Sequence, residues 1–68
     1  MSNPNRIVDI YSGNWHLIIE YIPDKDIYGL YEYVFDDGRW TTRPVCNAFD
    51  KSLEKLKKCA CSAFWDIL

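Results

Sequence analysis

The sequence has little of what usually announces a chemistry. Its 68 residues contain one histidine, three cysteines and three glycines. No Gly-x-Ser-x-Gly elbow, phosphate-cradling glycine loop or His-Glu-x-x-His run is present, so the common nucleophile, nucleotide and metallopeptidase signatures are excluded. No apolar stretch approaches the roughly 20 residues that span a bilayer. The start, Met1-Ser2-Asn3-Pro4-Asn5-Arg6, lacks the apolar stretch of a signal peptide. A net charge of −2 excludes the strongly basic footprint of a dedicated duplex-DNA binder. Three cysteines form no disulfide framework by spacing, and the odd count predicts a reducing, cytoplasmic setting with thiols packed as small hydrophobes.

What is present suits one small globular domain, residues 1–68. Hydrophobic residues make up 49% and charged residues 26%, a balance that can fold. The polar residues 1–5, with Pro4, are expected to fray. Residues 6–46 are rich in Ile, Val, Tyr, Trp and Thr with turn residues between them, and from Asn47 the apolar period changes.

Residues 6–46 read as four strands. Asp37-Gly38 between two apolar runs suits a two-residue hairpin turn, in which both central residues take positive φ. That turn sets Phe35 opposite Trp40, Tyr33 opposite Thr42 and Glu32 opposite Arg43. A Gly13-Asn14 turn sets Val8 opposite Ile19 and Ile10 opposite Leu17. Between these hairpins, a loop over 23–27 pairs Ile22 with Tyr28, which sets Trp15 opposite Phe35, Leu17 opposite Tyr33 and Ile19 opposite Tyr31. One continuous apolar face follows: Val8, Ile10, Trp15, Leu17, Ile19, Tyr21, Tyr31, Tyr33, Phe35 and Trp40. A one-residue slip would break it, because side chains alternate across a strand.

Residues 47–67 read as one helix. Phe49, Leu53, Leu56, Ala60, Ala63, Phe64 and Ile67 recur at helical spacing, and Lys51, Lys55 and Lys58 fall on the opposite side. Asn47 or Asp50 can cap the start. A helix of about 18 residues is roughly 27 Å long, enough to cross four strands. The expected fold class is therefore α+β: a four-stranded antiparallel β-meander with one C-terminal α-helix packed on one face.

The expected outer face carries His16, Ile18, Glu20, Ile22, Tyr28, Leu30, Glu32, Val34, Thr41, Arg43 and Val45, more apolar than a solvated face usually is. Ile18, Tyr28 and Leu30 are its candidate apolar anchors. Trp65 points away from the helical stripe, so either the helix ends before it and the tail folds back, or it is exposed and is a fourth anchor. Charge is unevenly distributed. From Asp9 to Asp37 the acids are Asp9, Glu20, Asp24, Asp26, Glu32, Asp36 and Asp37, against Lys25 alone. From Gly38 to Lys58, by contrast, Arg39, Arg43, Lys51, Lys55, Lys57 and Lys58 outweigh Asp50 and Glu54. Asp24, Asp26, Asp36 and Asp37, in loops, are the candidate charged contacts to a basic partner, where such steering raises association rate and selectivity.

Catalysis gains little from this inventory. His16 falls on the outer face without an evident task, and the Asp36-Asp37 pair sits in a turn that favours Asp for backbone reasons. Cys46, Cys59, Cys61 and His16 could number four zinc ligands, but Cys59 and Cys61 are two apart in a predicted helix and point about 200° from each other. No enzyme activity, metal or cofactor is expected. Sheet-borne aromatics, with Tyr28, Tyr31, Tyr33, Trp15 and Trp40 as candidates, invite single-stranded nucleic acid, a distant alternative, since the expected register makes most of those rings core and the strands are acidic.

The run Phe49-Asp50-Lys51-Ser52-Leu53-Glu54-Lys55-Leu56 resembles the helix start of HicB-type antitoxins, although the Pro-Gly-Cys stretch those proteins carry before the helix is absent. In size, acidity and lack of a catalytic motif the chain is similar to small phage-encoded inhibitors, anti-CRISPR proteins among them. That resemblance carries no residue over. It implies a non-enzymatic cytoplasmic binding protein that blocks a basic surface on a larger, nucleic-acid-handling host complex, without contacting nucleic acid or membrane itself. The alternative is a structural or regulatory module that dimerises through its outer sheet face, since thin cores below about 70–80 residues are often supported by association.

Overall fold

In the computed structural model, which describes residues 5–68 apart from the Ala63 side chain, the first half of the chain is the expected meander. Strands β1 (Arg6–Ser12), β2 (Trp15–Ile22), β3 (Ile27–Asp36) and β4 (Arg39–Arg43) pair antiparallel in chain order. A two-residue strand, β5 (Phe49–Asp50), pairs with β3 through Gly29 and Tyr28. Since β2 holds the other edge of β3, β5 continues the line of β4. Residues 1–4 of the expected frayed start lie outside the described residues, whereas Asn5 is ordered enough to accept the Tyr21 N–H at 2.8 Å.

Two of the three registers follow the sequence. Val8 faces Ile19 and Ile10 faces Leu17. Gly38 and Asp37 both take positive φ, 77° and 53°, and the hairpin they turn sets Phe35 opposite Trp40 and Glu32 opposite Arg43. The third register is one residue off. Ile22 pairs with Ile27, so the loop is the four residues Pro23–Asp26, with Asp26 in the left-handed region at φ 53°. Trp15 therefore meets Val34, Leu17 meets Glu32 and Ile19 meets Leu30.

That slip turns over every residue of β3 and, with it, β4. The covered face is Val8, Ile10, Trp15, Leu17, Ile19, Tyr28, Leu30 and Glu32, and the expected core residues Tyr31, Tyr33, Phe35 and Trp40 lie on the other side. Phe35 is 40% exposed and Trp40 43%. Leu17, Ile19 and Leu30 are sealed.

The expected helix over 47–67 is broken into three pieces: β5, a six-residue helix α1 (Leu53–Lys58) and a 3-10 turn (Ser62–Phe64). The break has local causes. The Asp50 carboxylate accepts the Ser52 N–H at 2.8 Å and the Asn47 amide at 2.9 Å, an arrangement that holds a turn before the helix. Ser52, in extended conformation, then caps α1 by accepting the Lys55 N–H. At the other end a disulfide joins Cys59, the C-cap, to Cys46, with Cα atoms 5.7 Å apart. The expectation of three free thiols is corrected on this point: the turn through β5 and α1 returns Cys59 to Cys46, and Cys61 stays free.

Helix and turn still cover the sheet. Leu56, Ala60 and Phe64 close over Leu17, Ile19 and Leu30, while Phe49 and Ile67 of the expected stripe are exposed. The buried Glu32 carboxylate accepts the Cys61 N–H at 2.5 Å and so ties the segment after α1 to β3. Arg43 lies over the Trp15 ring, 5.5 Å from its centroid, at the margin of the same face.

Candidate functional site

The open face of the sheet is the feature that the fold leaves without cover. β1 supplies Asp9 and Tyr11, β2 supplies His16 and Ile18, β3 supplies Tyr31, Tyr33 and Phe35, β4 supplies Trp40 and β5 supplies Phe49. Their rings touch across strands. Tyr11 and His16 stack with centroids 3.9 Å apart and planes 10° from parallel. Trp40 sets its edge against both, at 5.8 and 5.9 Å, and meets Phe35 at 5.3 Å. Tyr33 lies 5.8 Å from His16, and Tyr31 meets Phe49 edge-on at 6.3 Å. Edge and offset contacts of this kind add about 0.5–1.5 kcal/mol each beyond the area they bury, so the rings hold one another in place.

Gly29 belongs to this face for a steric reason. A Cβ there would lie 3.1 Å from the Tyr31 hydroxyl and 3.2 Å from Phe49 Cε1. The bare backbone lets the Tyr31–Phe49 pair lie down across β3. Beside it a notch of about 250 Å³ opens between Tyr31, Tyr33, Thr42 and Phe49, where β4 ends and β5 begins.

Polar groups anchor the other margin. His16 Nε2 donates to Asp9 Oδ1 at 2.5 Å, and Arg6 donates to Asp9 Oδ2 at 3.0 Å and to Glu20 Oε1 at 3.5 Å. The hydrogen bond from His16, then the one from Arg6, holds the Asp9 carboxyl below its ordinary range. The same contact with Asp9, ahead of Glu20, raises the Arg6 guanidinium. This margin is thus a fixed ion network and supplies no free cation to the face.

The sequence-derived site residues divide. Asp24 and Asp26 are exposed in the β2–β3 loop and Asp37 in the β3–β4 turn, as their placement in loops predicts, while Asp36, also exposed, is the last residue of β3 and pairs across the ladder with Arg39. Asp26 is also engaged, accepting the Tyr21 hydroxyl at 2.7 Å, and that bond raises the Tyr21 phenol. Ile18 is on the open face but sealed beneath the rings. Leu30 and Tyr28 are corrected: the one-residue slip puts Leu30 in the core and packs Tyr28 against it, so neither offers an outer-face anchor. Trp65 is 59% exposed, its indole N–H donating to the Ala60 carbonyl, and it walls a cleft of about 360 Å³ with Glu54, Lys57, Lys58 and Leu68. Tyr11, Phe35 and Phe49 are the site residues that the sequence reading missed; Tyr31, Tyr33 and Trp40 were named there as ring candidates but assigned to the core, whereas Tyr28 and Trp15 do lie on the covered face. A four-residue β2–β3 loop was the signal that would have exposed them.

Among the described residues, the histidine, carboxylates and cysteines singled out in the sequence are not brought together in one site. His16 has its carboxylate partner but no nucleophile beside it in the contacts described. The four zinc candidates are dispersed: Cys46 and Cys59 are bonded to each other, and His16 stands on the opposite face. Among the described residues no group of three or more His, Cys, Asp or Glu is arranged to hold a metal ion. No helix among them is long and apolar enough to cross a membrane. Compared with protein-family models, curated proteins and solved structures, the chain finds no match.

Proposed function

We propose that the chain is a non-enzymatic binding module that docks its open aromatic face on a protein partner with a basic surface. The observation that carries the reading is the exposure of Tyr11, Phe35, Trp40 and Phe49 on one sheet face. Large exposed apolar patches mark contacts, and tyrosine and tryptophan are the residues that most often dominate binding energy. The acidic hairpin tip, Asp36 and Asp37, adjoins the Phe35–Trp40 pair and supplies the electrostatic part. An inhibitor that covers a basic surface of a larger complex, as small phage-encoded inhibitors do, is the most concrete form of this proposal. A cytoplasmic site of action belongs to that form, and the Cys46–Cys59 bond counts against it, since such bonds persist mainly in oxidising compartments.

Site-directed photo-crosslinking in an extract of the source cells tests the reading. A photoreactive phenylalanine analogue at position 11 or 40 is expected to yield a discrete protein adduct. The adduct should weaken with added salt and in the Asp36→Lys/Asp37→Lys background. Equal labelling from position 58, exposed on α1 at the covered side of the sheet, would overturn the reading. An adduct of twice the chain's mass would favour the alternative, self-association through the same face, which the exposed rings also support.

A further inference from the structure

We infer that the Cys46–Cys59 bond is a redox latch on the C-terminal cover of the sheet: two-electron reduction by a dithiol opens the cover, and oxidation closes it again. The latch is a property of the fold and does not depend on the binding-module reading.

The position of the bond is the first support. The core cluster is Leu17, Ile19 and Leu30 from the strands, with Leu56, Ala60 and Phe64 from the C-terminal segment. Cys59 stands between Leu56 and Ala60, so the bond grips the cover near its middle. Cys46 follows the end of β4 by three residues, so the other half of the clasp is carried by the meander itself. One covalent link, besides the main chain, thus fastens one half of the cluster to the other.

The weakness of the cover on its own is the second. α1 has six residues, and isolated helices shorter than about 12–15 residues are marginal in water. With the bond open, the cover keeps its apolar packing, the hydrogen bond from the Cys61 N–H to Glu32 and the two-residue ladder of β5 with β3. A domain of about 60 residues buries only about 60% of the surface that its unfolded chain exposes, so it folds by a small margin. Loss of a cross-link is a large change against such a margin.

Access is the third. Cys46 is exposed and Cys59 half-buried, and exposed disulfides are the labile, regulatory kind. A thiolate of the dithiol attacks the Cys46 sulfur, the S–S bond breaks, and Cys59 leaves with the electron pair and takes up a proton. The second thiol of the dithiol then attacks the mixed disulfide and frees Cys46 as a thiol. Two electrons have passed to the chain, and the reductant departs as its own disulfide. Cys61, unpaired and half-buried against the same cluster, stays a thiol throughout.

Nuclear magnetic resonance of the full chain at physiological temperature tests the inference, first oxidised and then with dithiothreitol in buffer without denaturant. The bond is expected to be reduced in full. The methyl signals of Leu17, Ile19 and Leu30 should lose their dispersion, and the Leu56 and Ala60 amides should exchange about a hundredfold faster, the factor set by loop closure. Removing the reductant and adding oxidised glutathione should restore the first spectrum. Cys61→Ser should switch as the native chain does, whereas Cys46→Ser/Cys59→Ser should give the open spectrum in both buffers. The inference is overturned if the core methyl signals keep their positions in the reduced native chain, or if the bond yields only in denaturant. Opening that reoxidation does not reverse would also overturn it, since the bond would then be a permanent staple.

Discussion

Tyr11 lies flat on His16, with ring centroids 3.9 Å apart, and His16 in turn is held from the side by Asp9. One carboxylate therefore orients the centre of the open face, and it does so through a hydrogen bond that is stronger when the carboxylate is ionised.

The pH dependence of this arrangement follows in sign. Asp9 has a carboxyl held below its ordinary value by His16 first and Arg6 next. A group whose folded value is depressed contributes fully above its unfolded value, about 3.9, and that contribution is lost as pH falls through the folded value. Thermal melts should therefore fall on the acid side of about pH 4, and Asp9→Asn should flatten that limb. At neutral pH Asp9→Asn should lower stability by the same amount that the acid limb loses, and solvent screening at this partly exposed carboxylate keeps both small. An acid limb unchanged by Asp9→Asn would remove this role.

The inside-out assignment of β3 predicts two unequal substitutions five residues apart. Leu30→Ala removes a sealed core side chain and should cost about 2–5 kcal/mol. Phe35→Ala trims a ring on the open face and should cost about 1 kcal/mol or less. Urea unfolding of both variants checks this. The reverse order would restore the register in which Ile22 pairs with Tyr28.

The contrast between those residues shows how much of the fold was legible in the sequence. Turns with a chemical signature were read correctly: Asp37-Gly38 dictates positive φ at both positions, and Phe35 duly faces Trp40. The Pro23–Asp26 loop carries no such signature. Asp26, a non-glycine residue at φ 53°, shortens it by one residue. Hydrophobic alternation could not arbitrate, because both faces of β3 are apolar: Tyr28, Leu30 and Val34 on one, Tyr31, Tyr33 and Phe35 on the other. The core half contributed by β1 and β2 was thus legible and the aromatic site was not. In the C-terminal half, Leu56, Ala60 and Phe64 were legible as core from their spacing. Phe49 shares that spacing, but Asp50 and Ser52 spend their side chains on turn and cap bonds that end the helical pattern before it reaches Phe49.

Glu32 predicts a pair of variants that separate charge from hydrogen bonding. Its carboxylate is buried and accepts the Cys61 N–H. Glu32→Ala leaves that N–H without its acceptor and opens a gap beside Arg43, and should cost about 1–3 kcal/mol for the lost partner alone. Glu32→Gln keeps an acceptor at the same reach and should retain most of the stability. Denaturant midpoints measure both, and equal losses would show that the negative charge matters beyond the bond.

Gly29 predicts a change in the site with little change in the core. Gly29→Ala places a methyl 3.1 Å from the Tyr31 hydroxyl and 3.2 Å from Phe49 Cε1, and both are ends of side chains that can move outward. The edge-on contact between those rings should open, with altered ring-proton shifts for Tyr31 and Phe49, while Leu17 and Leu30 methyl signals stay in place. Matching shifts in the core methyls would instead mean that β3 itself had moved.

The Cys46–Cys59 bond predicts both a thiol count and a stability change. In the oxidised chain, denatured without reductant, an alkylating agent should label Cys61 and spare Cys46 and Cys59; after reduction all three should be labelled. Closing a loop of this size restricts the unfolded chain by about 3 kcal/mol in the chain-entropy account. Reduction, or Cys46→Ser, should therefore lower the urea midpoint by an amount of that order. The loss should be concentrated in the segment that the bond retains, where hydrogen exchange would quicken around β5 and α1 before it does in β1 and β2. Labelling of all three cysteines without reductant would show that the protein as isolated holds them as thiols, and the cover over Leu17 and Leu30 would then depend on Leu56, Phe64 and the Glu32–Cys61 tie alone.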